Sequence, residues 1–250
     1  MSASSPEFSV VMPVYHEGAA IVPRLDELGA TLPEHAEVLV VYDAESDPTL
    51  PYLTELAAKD PRFHPLLNTY GRGPARALRF GLDHVSSDVA VITMGDGSDD
   101  PSQIGVLAQI VRSGTAIAAA SRYVPGGGQL GGPIFKRSLS HFAGWSLHQF
   151  AGVPIHDVTS AFKAYSMDFV RSVRLQSTQG FEISLELVAK AHRLRLPMAE
   201  VPTVWRDRTE GTSHFRLFKW LPRYLRWFAL AFGRQLTVSE LDRRTHRRGR

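Results

Sequence analysis

The chain has 250 residues, 44% of them apolar, which suits one large α/β domain with a substantial core. It contains no cysteine, which excludes disulfides and thiolate metal centres, and no apolar run approaches the ~20 residues of a bilayer-spanning helix. The formal net charge is only +3, but carboxylates concentrate before Pro101 and arginines after Val201, so a basic surface facing phosphate or anionic lipid is expected near the C-terminus. The opening MSASSPEF carries no charged-then-apolar leader pattern, so export is not expected and a cytoplasmic location is.

In chain order, FSVVMPV (8–14), AEVLVVY (36–42), FHPLL (63–67), VAVIT (89–93) and TAIAAA (115–120) read as strands. Helices are predicted over 18–31, around 48–59, from Pro74 to about 86 and after Pro101. This rhythm with short turns implies a parallel, doubly wound sheet. YVPGGGQLGGP (123–133) reads as a mobile Gly-rich lid, and a helix follows near 134–151. DVTSAFKAY (157–165) reads as a strand, GFEISLELVAKAHRL (180–194) as an amphipathic helix with Glu182 on its solvated face, and MAEVPTVW (198–205) as a last strand.

Residues 215–235 read as a helix with Arg216, Lys219, Arg223 and Arg226 on one face and Trp, Tyr, Phe and Leu over the remainder. A basic helix carrying aromatics suits the headgroup boundary of an anionic membrane; the alternative is a helix packed on the domain or against a second copy. The tail 237–250 reads as disordered. Its cations lack interleaved aromatics, so no nucleic-acid partner is expected. His141, His148 and His156 show no metal-ligand spacing and read as structural.

The most informative segment is VAVITMGDGSDDP (89–101), where an apolar strand ends in Asp96, Asp99 and Asp100 with interspersed glycines. Ligands bind at the carboxyl edge of open α/β sheets. Clustered carboxylates there repel unless a cation separates them, which suits Mg²⁺ or Mn²⁺ held with substrate phosphates. The alternative is a turn in which Asp99 or Asp100 caps the helix entered at Pro101.

Taken together these segments resemble glycosyltransferase family 2, most closely its dolichyl-phosphate mannose synthase-like branch. VVMPVYHEG (10–18) is similar to its first strand and nucleotide-contacting turn. VYDAESDPT (41–49) resembles its V-D-D-x-S-x-D-x-T segment. NTYGRGPARALRFGL (68–82), SRYVPGG (121–127), DVTSAFKAY (157–165) and EVPTVWRDRTEGTSHF (200–215) match later segments in the same order. The resemblance implies a GT-A fold: a domain over 1–213, with a nucleotide-sugar-binding half (8–121) and an acceptor half (122–213), followed by the basic helix (214–236). It implies inverting transfer of a sugar from a nucleotide diphosphate donor, GDP-mannose or a UDP-sugar, to a polyprenyl phosphate. A divalent cation, Mg²⁺ or Mn²⁺, is implied at the diphosphate, and a peripheral seat at the inner membrane face follows from such an acceptor.

Asp96 aligns with the second Asp of the family's D-x-D motif, whereas Met94, which cannot bind a hard cation, stands at the first. Asp99 or Asp100 is then expected to supply the missing carboxylate, or else metal dependence is weakened. Ser98 matches another metal-contacting position. Asp43, at the end of the second strand, and Glu17 are expected near the base or ribose, and Arg72, between two glycines, near the nucleotide. Arg122, Arg137 and Arg208 match basic positions expected to bind the acceptor, and Lys163 replaces a usual Arg. A lipid phosphate is largely ionised at neutral pH and needs cations rather than a strong base. A hydroxyl acceptor needs a carboxylate to take its proton; Asp157 is then the candidate, with Glu186 second. The competing expectations are the same donor chemistry on a soluble small-molecule acceptor, and a non-catalytic nucleotide-sugar binding protein.

Overall fold

A computed structural model of the chain describes residues 6–207 and 217–246. β1 (Phe8–Val14), β2 (Ala36–Tyr42), β3 (Phe63–Leu67), β4 (Val89–Ile92) and β5 (Ile117–Ser121) alternate with α1 (Val22–Thr31), α2 (Leu50–Lys59), α3 (Pro74–Asp83) and α4 (Ile104–Arg112). β6 (Gly128–Leu130) precedes α5 (Ile134–Ser146), which runs into a π-helical turn, Leu147–Ala151. Then come β7 (Lys163–Ser166), α6 (Met167–Ser172), α7 (Glu182–Arg193), β8 (Met198–Pro202), β9 (Val204–Arg206), α8 (Leu217–Ala231) and α9 (Val238–His246).

The main sheet has the order β3-β2-β1-β4-β7-β5-β8. All seven residues of β1 are buried because helices cover both faces of the sheet. Val11, Leu39, Val41 and Ile92 pack on one face with α3, α7 and α8; Val10, Met12, Val38 and Val40 pack on the other with α1, α2 and α4. The sheet is not wholly parallel: β7 runs antiparallel between β4 and β5.

β7 is also shorter than the apolar run suggests. Residues 157–162 form a loop in which Asp157 accepts from the Ser160 amide and the Ser160 hydroxyl accepts from the Phe162 amide, which diverts those groups from a ladder. The Gly-rich segment contributes a strand, since β6 pairs in parallel with β9.

α7 is buried along its whole length, so the expected solvated face is absent. Its charged side chains are satisfied inside. Glu182 accepts from the Gln179 and Gly180 amides, and Glu186 from the Gln176 and Ser177 amides and from Lys190. α8 packs on α7, with Trp227, Leu230 and Ala231 buried. Arg226 turns inward to Gln176 Oε1 and the Thr245 carbonyl, leaving Pro222, Leu225 and Ala229 exposed. The expected cationic outer face is therefore not formed by Arg226; Arg216 lies outside the described residues, and the expectation for Lys219 rests on a side chain outside the description.

The tail expected to be disordered forms α9 over Val238–His246, with Leu241 and Thr245 buried. Among the described residues, no helix is long and apolar enough to cross a membrane.

Candidate active site

β1, β2 and β4 pair in parallel, and β5 runs in the same direction across the antiparallel β7, so the loops after these strands leave one edge of the sheet and gather Glu17, Asp43, Asp96 and Arg122 there. The turn after β1 is braced from the next loop. Asp47 accepts from the His16 amide, and Thr49 Oγ1 from the amides of Glu17 and Gly18. Asp43, at the end of β2, braces a neighbour in its turn: its oxygens accept from Asn68 Nδ2 and the Gly73 amide, each at 2.8 Å. This fixes the loop that exposes Arg72.

The acidic turn after β4 sorts its three carboxylates differently. Asp96 Oδ1 accepts from the Ser98 amide at 3.1 Å and the Ser98 hydroxyl at 2.6 Å. Asp99 turns inward to Thr93 Oγ1 at 3.1 Å and the Met94 amide at 3.0 Å. Burial and then the neighbouring Asp96 push its pKa up to about 7. Asp100 caps the following turn by accepting from the Ser102 amide and hydroxyl, the capping role foreseen as its alternative. Gly97 carries a φ of +72°, and a Cβ there would lie 1.8 Å from Arg24 Nε, so only glycine lets α1's Arg24 approach this turn. A cleft of about 470 Å³ opens beside it, with Arg24, Asp99, Gln103 and Arg206 in its walls.

Of the three acidic residues, Asp99 turns inward and Asp100 caps the turn entered at Pro101, whereas Asp96 stands at the head of the acidic turn, braced by Ser98. Among the described residues, no group of three His, Cys, Asp or Glu side chains could hold a metal ion. The donor set nonetheless suits a cation that arrives with phosphate oxygens, since Mg²⁺ is commonly held by one or two carboxylates plus substrate phosphates. The Asp96–Asp99 repulsion that raises Asp99 is what such a cation would relieve.

On the acceptor side, Arg122 and Asp157 form a bidentate ion pair, with Nε to Oδ2 at 2.7 Å and Nη2 to Oδ1 at 2.9 Å. The Arg122 and Ser160 amides complete the shell of the Asp157 carboxylate. Burial would raise the Asp157 pKa, but the charge and hydrogen bonds of Arg122 outweigh it and hold the group below the usual carboxylate range. Lys163 is fully buried beneath this pair, donating to the Ser160 carbonyl and Ser184 Oγ; burial lowers its pKa to about 8. The structure therefore places Lys163 as a brace of the loop, out of an acceptor's reach. Glu186 is likewise spent on Lys190 and two amides.

Arg137 is exposed on α5, and Arg208 lies outside the described residues. Sequence reasoning missed Ser140, whose hydroxyl links Arg122 Nη2, Tyr123 and Thr159. A lone serine on a helix gives no signal of that kind. It also missed Arg24, whose place depends on how α1 packs.

Comparison with known proteins gives the family and the fold. A family model described as Glycosyl transferase family 2 matches residues 9–174. An undecaprenyl-phosphate mannosyltransferase of Micrococcus luteus is 30% identical, over 81% of this chain and 85% of that protein. A polyprenol monophosphomannose synthase of Mycolicibacterium smegmatis is also 30% identical, over 82% and 79%. Glucosyl-3-phosphoglycerate synthase of Mycobacterium tuberculosis, in complex with Mn²⁺, uridine diphosphate and glucosyl-3-phosphoglycerate, superposes with a TM-score of 0.67 at 15% identity, covering 92% of this chain and 81% of that one. The chain belongs to glycosyl transferase family 2 and is a glycosyltransferase built on the mixed α/β sheet of the GT-A fold.

Proposed function

We propose that the chain transfers a hexosyl group, mannosyl above others, from a nucleotide diphosphate sugar to the phosphate of a polyprenyl phosphate, with the enzyme seated peripherally at the membrane face. The relatives named for undecaprenyl-phosphate and polyprenol substrates support the acceptor class and the sugar; the donor in this reading is GDP-mannose or a UDP-sugar. The observation that carries the acceptor is the state of Asp157. The carboxylate best placed to deprotonate a hydroxyl is saturated by Arg122 and held well ionised, a weak base. A phosphate monoester with a second pKa near ~6 is already mostly a dianion and needs no such base.

In this reading an acceptor phosphate oxygen attacks the anomeric carbon as the bond to the donor's diphosphate breaks, and the electron pair leaves with the nucleoside diphosphate. Arg122, fixed by Asp157, and the exposed Arg137 orient the acceptor's charge, with Arg208 a third expected cation. Glu17, Asp43 and Arg72 line the nucleotide side. Asp96, with Ser98, would hold a Mg²⁺ or Mn²⁺ that offsets charge on the departing diphosphate.

The test is turnover of radiolabelled GDP-mannose and a panel of UDP-sugars with polyprenyl phosphate and either cation, then with EDTA. Labelled lipid from one donor, lost with EDTA, is expected. Donor binding with label appearing only in water-soluble acceptors would replace this reading with the soluble-acceptor enzyme. Binding with no acceptor at all would replace it with a nucleotide-sugar binding protein.

A further inference from the structure

α5 is built inside out for a helix in water. Ile134, Phe135, Phe142 and Trp145 share one face and all are exposed, Ile134 at 80% and Phe142 at 60%. Phe150, in the π-helical turn that continues the helix, is 67% exposed and meets Trp145 edge-on at 5.6 Å. The opposite face is small or polar. Gly144 lies against the chain at His156, and Ser140 faces Arg122 and Tyr123. A soluble helix buries its large apolar side chains and shows its small and polar ones, and contiguous exposed apolar patches of this kind mark an interaction surface.

Charge identifies what covers it. From Pro101 to His156 the sequence contains no aspartate or glutamate, while Lys136 and the exposed Arg137 sit within the α5 stripe's first turns. A protein partner would be expected to meet some acidic rim. A face with aromatics, cations and no carboxylate instead matches the boundary between acyl chains and anionic headgroups. α8 packs against the 147–151 turn, and its Pro222 and Leu225 are also exposed.

We propose that the outer face of α5, with Phe150, seats on an anionic lipid bilayer and so holds the Arg122–Asp157 pair, bonded to α5 through Ser140, at the height of a lipid phosphate. The significance of that height rests on the acceptor proposed above; the docking itself does not.

The test uses the full chain and vesicles that contain no polyprenyl phosphate. Wild-type protein is expected to co-sediment with phosphatidylcholine vesicles containing ~30% phosphatidylglycerol, at least tenfold more strongly than with phosphatidylcholine alone. The double substitution Phe142→Glu and Trp145→Glu, both on exposed positions, is expected to lower binding at least tenfold with an unchanged circular-dichroism melt. Should that variant misfold, brominated-lipid quenching in wild type against Trp145→Phe reads the same contact: quenching is expected to fall when Trp145 is removed. Undiminished vesicle binding by the folded double variant, or quenching indifferent to Trp145, overturns the proposal. So does a concentration-dependent wild-type dimer that the variant abolishes, which would make the face a contact between copies. Turnover with a short, water-soluble prenyl phosphate is read separately: its absence would count against the proposed acceptor and leave the docking result standing.

Discussion

Replacing Asp157 by Asn separates a structural anion from a catalytic base. The amide is isosteric but carries no charge and one acceptor oxygen fewer, while Arg122 stays in place with only 13% of its side chain exposed. Breaking a buried pair by removing one partner costs ~3–5 kcal/mol. The retained oxygen and the residual exposure of Arg122 place Asp157→Asn near the lower end, about 3 kcal/mol. Equilibrium urea unfolding reads this as a midpoint lower by about 1 M at unchanged slope.

The sign with pH follows from the depressed folded pKa of Asp157. Its contribution is complete above the unfolded value of ~3.9 and is lost as pH falls through the lower folded value, so the gap between wild type and variant closes only in acid. Transfer should fall mainly through a raised KM for the acceptor, because a loosened Arg122 positions it poorly. A variant within ~0.5 kcal/mol of wild type whose kcat falls a hundredfold or more would refute the reasoning and return Asp157 to the role of general base.

The other predictions concern packing and the cation. Gly144→Ala puts a methyl 1.8 Å from the His156 carbonyl oxygen; a loss of about 2–3 kcal/mol, or roughly 5–10 °C in Tm, is expected by calorimetry. Arg193→Met removes the buried cation that caps the carbonyls of Leu230, Phe232 and Arg234. It should cost about 3 kcal/mol and open the segment after α8 to limited proteolysis, whereas an equally resistant variant would show that α8 holds without this cap. Asp96→Ala should abolish transfer with an unchanged melt, and an active variant would remove Asp96 from the cation site. Because one carboxylate is presented at that site, Mn²⁺ titrated in electron paramagnetic resonance should bind wild type only together with a nucleoside diphosphate. Met94→Asp should bind it alone, and equal nucleotide-free binding by both would contradict the single-carboxylate site.

The alternating strands and helices of the first half were legible because their apolar runs and short turns are local properties of the chain. So was the acidic turn, whose glycines and carboxylates announce a strand end. The family resemblance rested on segments such as VVMPVYHEG and DVTSAFKAY, whose order survives divergence.

What each charged side chain does was decided in three dimensions. Asp96, Asp99 and Asp100 are near equivalents in sequence, yet hydrogen-bond donors from Ser98, Thr93, Met94 and Ser102 give them three different states. Lys163 and Asp157 look alike as strand-end polar residues, but burial makes one a brace and the other the fixed counter-ion of Arg122. Periodicity marks α7 and α8 as amphipathic. It cannot show that α7's carboxylates are satisfied by amides of the segment that folds back just before the helix, or that Arg226 turns inward. Secondary structure follows largely from neighbours within a few residues, so the sequence alone determined the alternating elements of the first half and the family. Protonation, pairing and exposure follow from neighbours that only the folded chain brings together, so the roles of the site's residues and the outward apolar face of α5 belong to the tertiary structure.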